Sequence, residues 1–253
     1  MSSDASGPDR RSLRKMRAAR TLRRWAGRLV PARCVLCQIA AGTLVCTACQ
    51  HDFLPPAPRC YQCAARLLSA VTPLCGHCMA EPPAFDRTFA LADYAPPLDG
   101  LIVALKYRQR LDLARVLGGL LAQRIAATTN LAHALHGSDS LVVPLPLSFE
   151  RHAERGFNQA HEIARAFVQE LGLPLAGGAL LRIKHNAPQE ALKLSARRRN
   201  VRGAFAVRAD VDARTVFLID DVMTSGSTLH EAAATLKRAG ARSVTNLVLA
   251  RTP

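Results

Sequence analysis

The chain has 253 residues, 49% of them hydrophobic, with 34 Lys and Arg against 19 Asp and Glu for a formal charge of +15. That is enough apolar material for a real core, and enough length for one α/β domain plus something small. No stretch approaches the ~18 unbroken apolar residues of a membrane helix, and the charged N-terminus has no apolar segment behind it, so neither a membrane span nor a secretory signal is expected and the default is a soluble, cytoplasmic protein.

Residues 1–33 carry ten Arg or Lys against Asp4 and Asp9, about half of the whole excess. Leu13, Met16, Leu22, Trp25 and Leu29 fall at roughly helical spacing within it. The segment reads as a basic arm, either a short amphipathic helix or a tail that orders on contact. Such a balance favours polyanions, although basic tails are often only solubilising.

All eight cysteines then follow in four C-x-x-C pairs: Cys34/Cys37, Cys46/Cys49, Cys60/Cys63 and Cys75/Cys78. Each pair points two thiolates at one centre, and two pairs complete a tetrahedral S4 site for zinc. Eight residues separate the first two pairs and eleven the last two, enough for tight hairpins and hence for two sequential zinc ribbons over residues 34–80. Disulfides suit secreted chains, and a redox site needs one such pair at a helix start rather than four. Spacing leaves open whether the pairs combine sequentially or interleaved, and whether iron replaces zinc. Four thiolates close a site, so the expected role is structural, and a region this small with few large apolar side chains needs the metal to fold.

Leu54-Pro55-Pro56-Ala57-Pro58 separates the ribbons, and Glu81-Pro82-Pro83 marks the exit from the second. Residues 85–253 then alternate between strand and helix patterns: strand Phe85–Tyr94, helix Leu98–Ala127 interrupted near Tyr107–Arg110, strand Leu141–Val143, helix Phe157–Leu171, and weak strand Ala179–Ile183. Strand Thr215–Ile219, helix 228–239 and strand Val244–Leu249 complete the series. Alternation of this kind implies an α/β domain, a parallel sheet with helices on both faces and a ligand site beyond the carboxyl ends of its strands.

There the apolar run Val216–Ile219 ends in Asp220 and Asp221 and enters Thr224-Ser225-Gly226-Ser227-Thr228 before the helix. A turn at a helix N-terminus grips a phosphate with backbone N–H groups and a favourable dipole. Two carboxylates in front of it can accept from vicinal ribose hydroxyls and help hold a divalent cation. Small polar residues also occur in ordinary strand-to-helix turns, but two acids at the end of a buried strand are costly without a role. No G-x-x-x-x-G-K-[ST] loop is present. Cations on facing loops would suit a pyrophosphate: Arg151, Arg155, Asn158 and Gln159 after the Leu141–Val143 strand, and Arg182 to Gln189 with Arg197-Arg198-Arg199-Asn200 further on. Taken singly, each of these arginines is more ordinarily a solvated surface residue.

The Asp220–Thr228 stretch resembles the signature of type I phosphoribosyltransferases, with Ser225 where a threonine is commonest. Taken with the double C-x-x-C array, Ala92-Asp93-Tyr94-Ala95-Pro96-Pro97-Leu98 leading to Leu105-Lys106-Tyr107, Arg155-Gly156-Phe157-Asn158-Gln159, and the Gln189…Arg199-Asn200…Ala204-Phe205 spacing, the chain resembles the ComF family and its GntX-like branch over residues 34–251. Asn186 departs from the family's usual threonine. The resemblance implies a phosphoribosyltransferase fold behind a double zinc ribbon. It implies a part in natural competence and the handling of incoming single-stranded DNA, with competence-machinery proteins as partners; GntX-like members are linked instead to gluconate use.

Two functions of different class are open at this point. In one the protein is a phosphoribosyltransferase of unknown acceptor that binds 5-phosphoribosyl 1-diphosphate: Asp220 and Asp221 hold ribose hydroxyls and magnesium, Thr224–Thr228 holds the 5-phosphate, the 144–159 loop faces the pyrophosphate, and 182–200 closes over the site. In the other it is a non-catalytic module that senses a nucleotide and holds single-stranded DNA. With one Trp and three Tyr there is little for bases to stack on, so such binding would be mainly electrostatic and salt-dependent.

Overall fold

The computed structural model describes residues 33–69, 71–184 and 201–253. The basic arm before Arg33 and the expectations placed on residues 185–200 lie outside them. The chain divides into two compact units, one ending at Asp52 and the other Phe53–Pro253. That boundary differs from the grouping by cysteine content: the second four-cysteine cluster lies in the same unit as the sheet.

In each cluster the first C-x-x-C turn is closed by an antiparallel bridge, Arg33 to Ala40 and Arg59 to Arg66. The second pair does not complete a hairpin. It opens a short helix instead, α1 (Thr47–Phe53) in one case and α2 (Gly76–Ala80) in the other. The reason is local: a helix start leaves N–H groups without partners, and the Cys49 N–H turns toward the Cys46 sulfur (3.4 Å).

The second unit continues β1 (Arg87–Asp93), α3 (Leu98–Tyr107), α4 (Leu111–Ala126), α5 (Thr129–Leu135), β2 (Ser140–Pro144), α6 (Phe149–Arg155), α7 (Gln159–Leu171), β3 (Leu180–Arg182), β4 (Phe205–Val207), β5 (Thr215–Met223), α8 (Ser227–Arg238) and β6 (Ser243–Arg251). Four strands form a fully parallel sheet in the order β1-β6-β5-β2. The central strands β5 and β6 carry the apolar runs Val216–Ile219 and Leu247–Ala250, buried because both of their faces are covered. Successive side chains alternate between faces. Val216, Leu218, Val244 and Val248 share one core with Leu229, Ala232, Ala233 and Leu236 of α8. Phe217, Ile219 and Leu247 are buried on the other face, where α4 and α7 lie against the sheet and each other. Gly118 permits that helix contact, since a Cβ there would stand 2.6 Å from the Ile163 carbonyl oxygen.

The interruption expected after Tyr107 is present at Arg108–Arg110, where Gln109 takes φ of 53°. The weak strand at 179–183 is β3, but it pairs antiparallel with β4, outside the main sheet. A three-residue strand and the seven-residue helices α5 and α6 are too short to set a period, which is why the pattern does not announce them.

Candidate functional site

The cysteines group sequentially. Cys34, Cys37, Cys46 and Cys49 form one cluster and Cys60, Cys63, Cys75 and Cys78 the other, with all sulfurs of each within 4.8 Å of one another. Cys37 and Cys46 stand 3.7 Å apart and Cys63 and Cys75 3.6 Å. Those separations exclude disulfides and match the ~3.8 Å edge of a tetrahedron of Zn–S bonds. Burial opposes ionisation of Cys34 and Cys60, but backbone N–H groups, including those of Cys46 (3.4 Å) and Cys75 (3.3 Å), outweigh it and bring these thiols to about 6 and about 7. Burial and the neighbouring thiols hold Cys49 and Cys78 protonated instead. Four such sulfurs cannot all ionise together without a cation, and the donor set suits zinc in a closed, structural site.

β5 carries the acidic pair inside the strand, two residues before its end, rather than after it. Asp221 is 8% exposed and Asp220 half-buried. Asp220 Oδ1 accepts from the Asp221 N–H (2.8 Å), and Lys106 Nζ at the end of α3 donates to Asp221 Oδ2 (3.0 Å). Burial, then the charge of Asp221, push the Asp220 carboxyl up to about 7, against the pull of Lys106, the Asp221 N–H and Arg151. The pair is short of positive charge, which is the condition a divalent cation or ribose hydroxyls would relieve.

The chain then turns through Thr224 and Ser225 to Gly226, which precedes α8 at φ of 76°, a left-handed geometry that favours glycine. Gly226, at the N-cap position, brings no side-chain cap to α8, and the start of a helix offers its amides to an anion. Ser225 Oγ lies 3.0 Å from Ser227 Oγ and accepts from the Ser227 N–H at 3.4 Å. Ser227 is buried, Thr228 half-buried and Thr224 exposed.

The residues expected on the pyrophosphate side divide. Asn158 is structural, its Oδ1 accepting from the His161 N–H (3.4 Å) to cap α7 and its Nδ2 donating to the Leu145 carbonyl (3.0 Å). Arg155 donates to Gln159 Oε1 (3.2 Å) and to the Tyr107 hydroxyl (3.3 Å), whose ring it also overlies at 5.1 Å. Tyr107 adjoins Lys106, so the end of α3 brings the Arg155 segment and the acidic pair together. Arg151 and Arg182 each act electrostatically on Asp220, and burial followed by Arg151 pulls the Arg182 guanidinium below its usual range. Arg155 Nε, Gln159 Nε2 and Arg182 Nε are buried donors with no hydrogen-bond partner among the described residues. Orphaned donors of this kind are uncommon in a native interior and point to an acceptor that binds there. Lys106 was visible only as part of Leu105-Lys106-Tyr107, with nothing in its spacing to tie it to Asp221.

A family model for the phosphoribosyl transferase domain matches residues 153–253. Over most of its length the chain is also similar to DNA utilization protein YhgH of Escherichia coli K12: 34% identical over 229 residues, covering 88% of this chain and 98% of that protein. The chain belongs to the ComF family. Competence protein F of Haemophilus influenzae is 32% identical over 228 residues, covering 87% of this chain and 96% of its own. Competence protein ComFC of Bacillus subtilis is 36% identical over 113 residues, 44% of each chain. The parallel sheet with its helices in this ComF protein is accordingly that of a phosphoribosyltransferase domain, and the two four-cysteine clusters precede it in sequence.

Proposed function

We propose that this ComF protein binds 5-phosphoribosyl 1-diphosphate, or a closely related phosphorylated ribose, with magnesium, and serves in the use of DNA taken up during competence. Asp220 and Asp221 hold the ribose hydroxyls and the cation. The turn from Thr224 to Thr228 holds the 5-phosphate, and Arg151, Arg155, Gln159 and Arg182 face the pyrophosphate. Magnesium supplies charge neutralisation of the pyrophosphate there. The single observation that carries the reading is the under-neutralised pair Asp220–Asp221 running directly into the uncapped start of α8. The DNA role rests on family membership, since relatives that share nearly the full chain are named for DNA utilization and competence.

The test is calorimetric titration of the full chain with magnesium and 5-phosphoribosyl 1-diphosphate, beside the double variant Asp220→Asn/Asp221→Asn. Saturable binding that the double variant loses is the expected result. A folded, metal-loaded wild type that gives no heat contradicts it. The overall charge of +15 favours a second reading, a non-catalytic module that holds single-stranded DNA. It predicts DNA affinity that is steeply salt-dependent, without sequence preference, and unchanged in the double variant.

A further inference from the structure

The second four-cysteine cluster is built into the wall of the phosphate turn. Cys60, Cys63 and Cys78 belong to the same core as Phe85, Met223 and Leu229. A cavity of about 90 Å³ separates cluster and turn, bounded by Cys63 and Cys78 on one side and Ser225, Gly226 and Ser227 on the other. The last residue of β6 spans the two. Arg251 Nε donates to the Cys63 carbonyl (3.0 Å), inside the first knuckle, and Nη1 donates to the Thr252 carbonyl (2.5 Å) and hydroxyl (3.0 Å) and, at 3.4 Å, to the Met223 carbonyl, one residue before Thr224. The Thr252 N–H donates to the same Met223 carbonyl (3.1 Å). The Met223 side chain in turn packs against Gly226, with Phe85 beside it. A second connection runs from the exit of the knuckle, where the Ala84 N–H donates to Nδ1 of His230 in the first turn of α8 (3.1 Å).

We propose that Arg251 is a positioning residue that couples the second cluster to the phosphate turn, so that the integrity of that cluster sets the affinity for a ribose phosphate. The proposal rests on the reading of Thr224–Thr228 as a phosphate site. The geometry gives the reason. A planar guanidinium that donates to the Cys63, Met223 and Thr252 carbonyls fixes their relative positions, as a flexible ammonium does not. One carbonyl belongs to a thiolate knuckle held by its metal, and another, that of Met223, sets where the chain leaves β5. When the cluster loses its metal, the knuckle relaxes, the Cys63 carbonyl leaves the fork, and the amides after Met223 lose their fixed direction. Coupling of this kind is reciprocal: whatever tightens the turn also holds the cluster. The first cluster belongs to the other compact unit.

Ribose 5-phosphate is the probe, and the full zinc-loaded chain is compared with Arg251→Gln and Arg251→Lys. Two quantities are read: calorimetric affinity, and the rate of zinc release to a chromogenic chelator after addition of a thiol reagent. In wild type the probe slows release of one zinc at least threefold and leaves the other unchanged. In Arg251→Gln both zincs are retained, affinity falls at least fivefold and the protection disappears. Arg251→Lys regains part of each, because one donor reaches one carbonyl. A residue that only stabilised the fold would lower the melting temperature and leave affinity and protection intact, and that result overturns the proposal. Should Arg251→Gln fail to fold, the wild type still decides: bound probe with both zincs released at unchanged rates refutes the coupling while sparing the phosphate site. A wild type that does not bind the probe refutes the phosphate site, and the coupling with it.

Discussion

The two four-cysteine clusters are near copies locally and differ in what surrounds them. Both first knuckles place a non-glycine residue in the left-handed region, Gln38 and Ala64, and in both the preceding arginine donates to that residue's carbonyl at 3.1 Å, Arg33 to Gln38 and Arg59 to Ala64. In the first, Cys37, Ile39 and Leu44 are exposed. In the second, Arg59 also pairs with Asp93 at the end of β1 (2.7 Å), joined there by Arg66 (2.8 Å), and the Tyr61 carbonyl accepts from the Thr88 N–H (3.1 Å). A closed metal site stabilises whatever its knuckles are packed against. One cluster therefore staples its own small unit, and the other staples the domain that carries the Thr224–Thr228 turn.

The largest expected effect separates the two directly. Cys78→Ser should destabilise the Phe53–Pro253 unit by several kcal/mol and leave much of the chain insoluble, because structural zinc contributes to folding outright. Cys49→Ser should leave the main thermal transition within about 0.5 kcal/mol of wild type, as for changes remote from the unfolding core. Equal losses from the two variants, read by circular dichroism melts, would erase the contrast.

Gly226→Ala comes next. It places a side chain at positive φ, where a Cβ would stand 2.5 Å from the Met223 methyl. The left-handed conformation alone costs roughly 1–2 kcal/mol, and ribose 5-phosphate affinity should fall with it. Unchanged binding would show that the turn is not held in the geometry described.

The acidic pair predicts a pH signature. The folded carboxyl of Asp220 is raised to about 7, above the ~3.9 of an unfolded chain. Ionising it therefore penalises the folded state progressively as pH rises from about 4 through 7. Asp220→Asn should be more stable than wild type at pH 8, by up to about 4 kcal/mol, with the gain vanishing near pH 4. Denaturant melts in magnesium-free buffer measure this, and a gain that grows toward low pH would reverse the assignment. The smallest effect is Asp93→Asn, which weakens the clamp on Arg59 and Arg66. A partly exposed pair of this kind is worth about 1 kcal/mol or less, and the loss should appear as faster zinc release from one of the two clusters.

Much of this was legible in residue order. C-x-x-C spacing announces two four-thiolate sites because metal ligands close to each other in sequence need no distant partner, while the order of pairing is read only from the structure. The run Val216–Thr228 announced strand, acids, turn and helix because a buried parallel strand and a phosphate turn both leave local patterns. What residue order does not show is the surroundings of the second cluster: Arg59, Tyr61 and Cys63 answer to Asp93, Thr88 and Arg251 (34, 27 and 188 residues away). Lys106 was hidden for the same reason, its carboxylate lying 115 residues further on. β4, and with it the antiparallel pairing of β3, escaped because three residues carry no period.

Amide hydrogen exchange on the full zinc-loaded chain, with and without ribose 5-phosphate, tests most directly whether the second cluster and the phosphate turn act as one body. The ligand should slow exchange in peptides covering 220–230 and also in those covering 60–66 and 75–78, with no change in 34–49. Protection confined to 220–230, or spread equally over both clusters, would contradict that coupling.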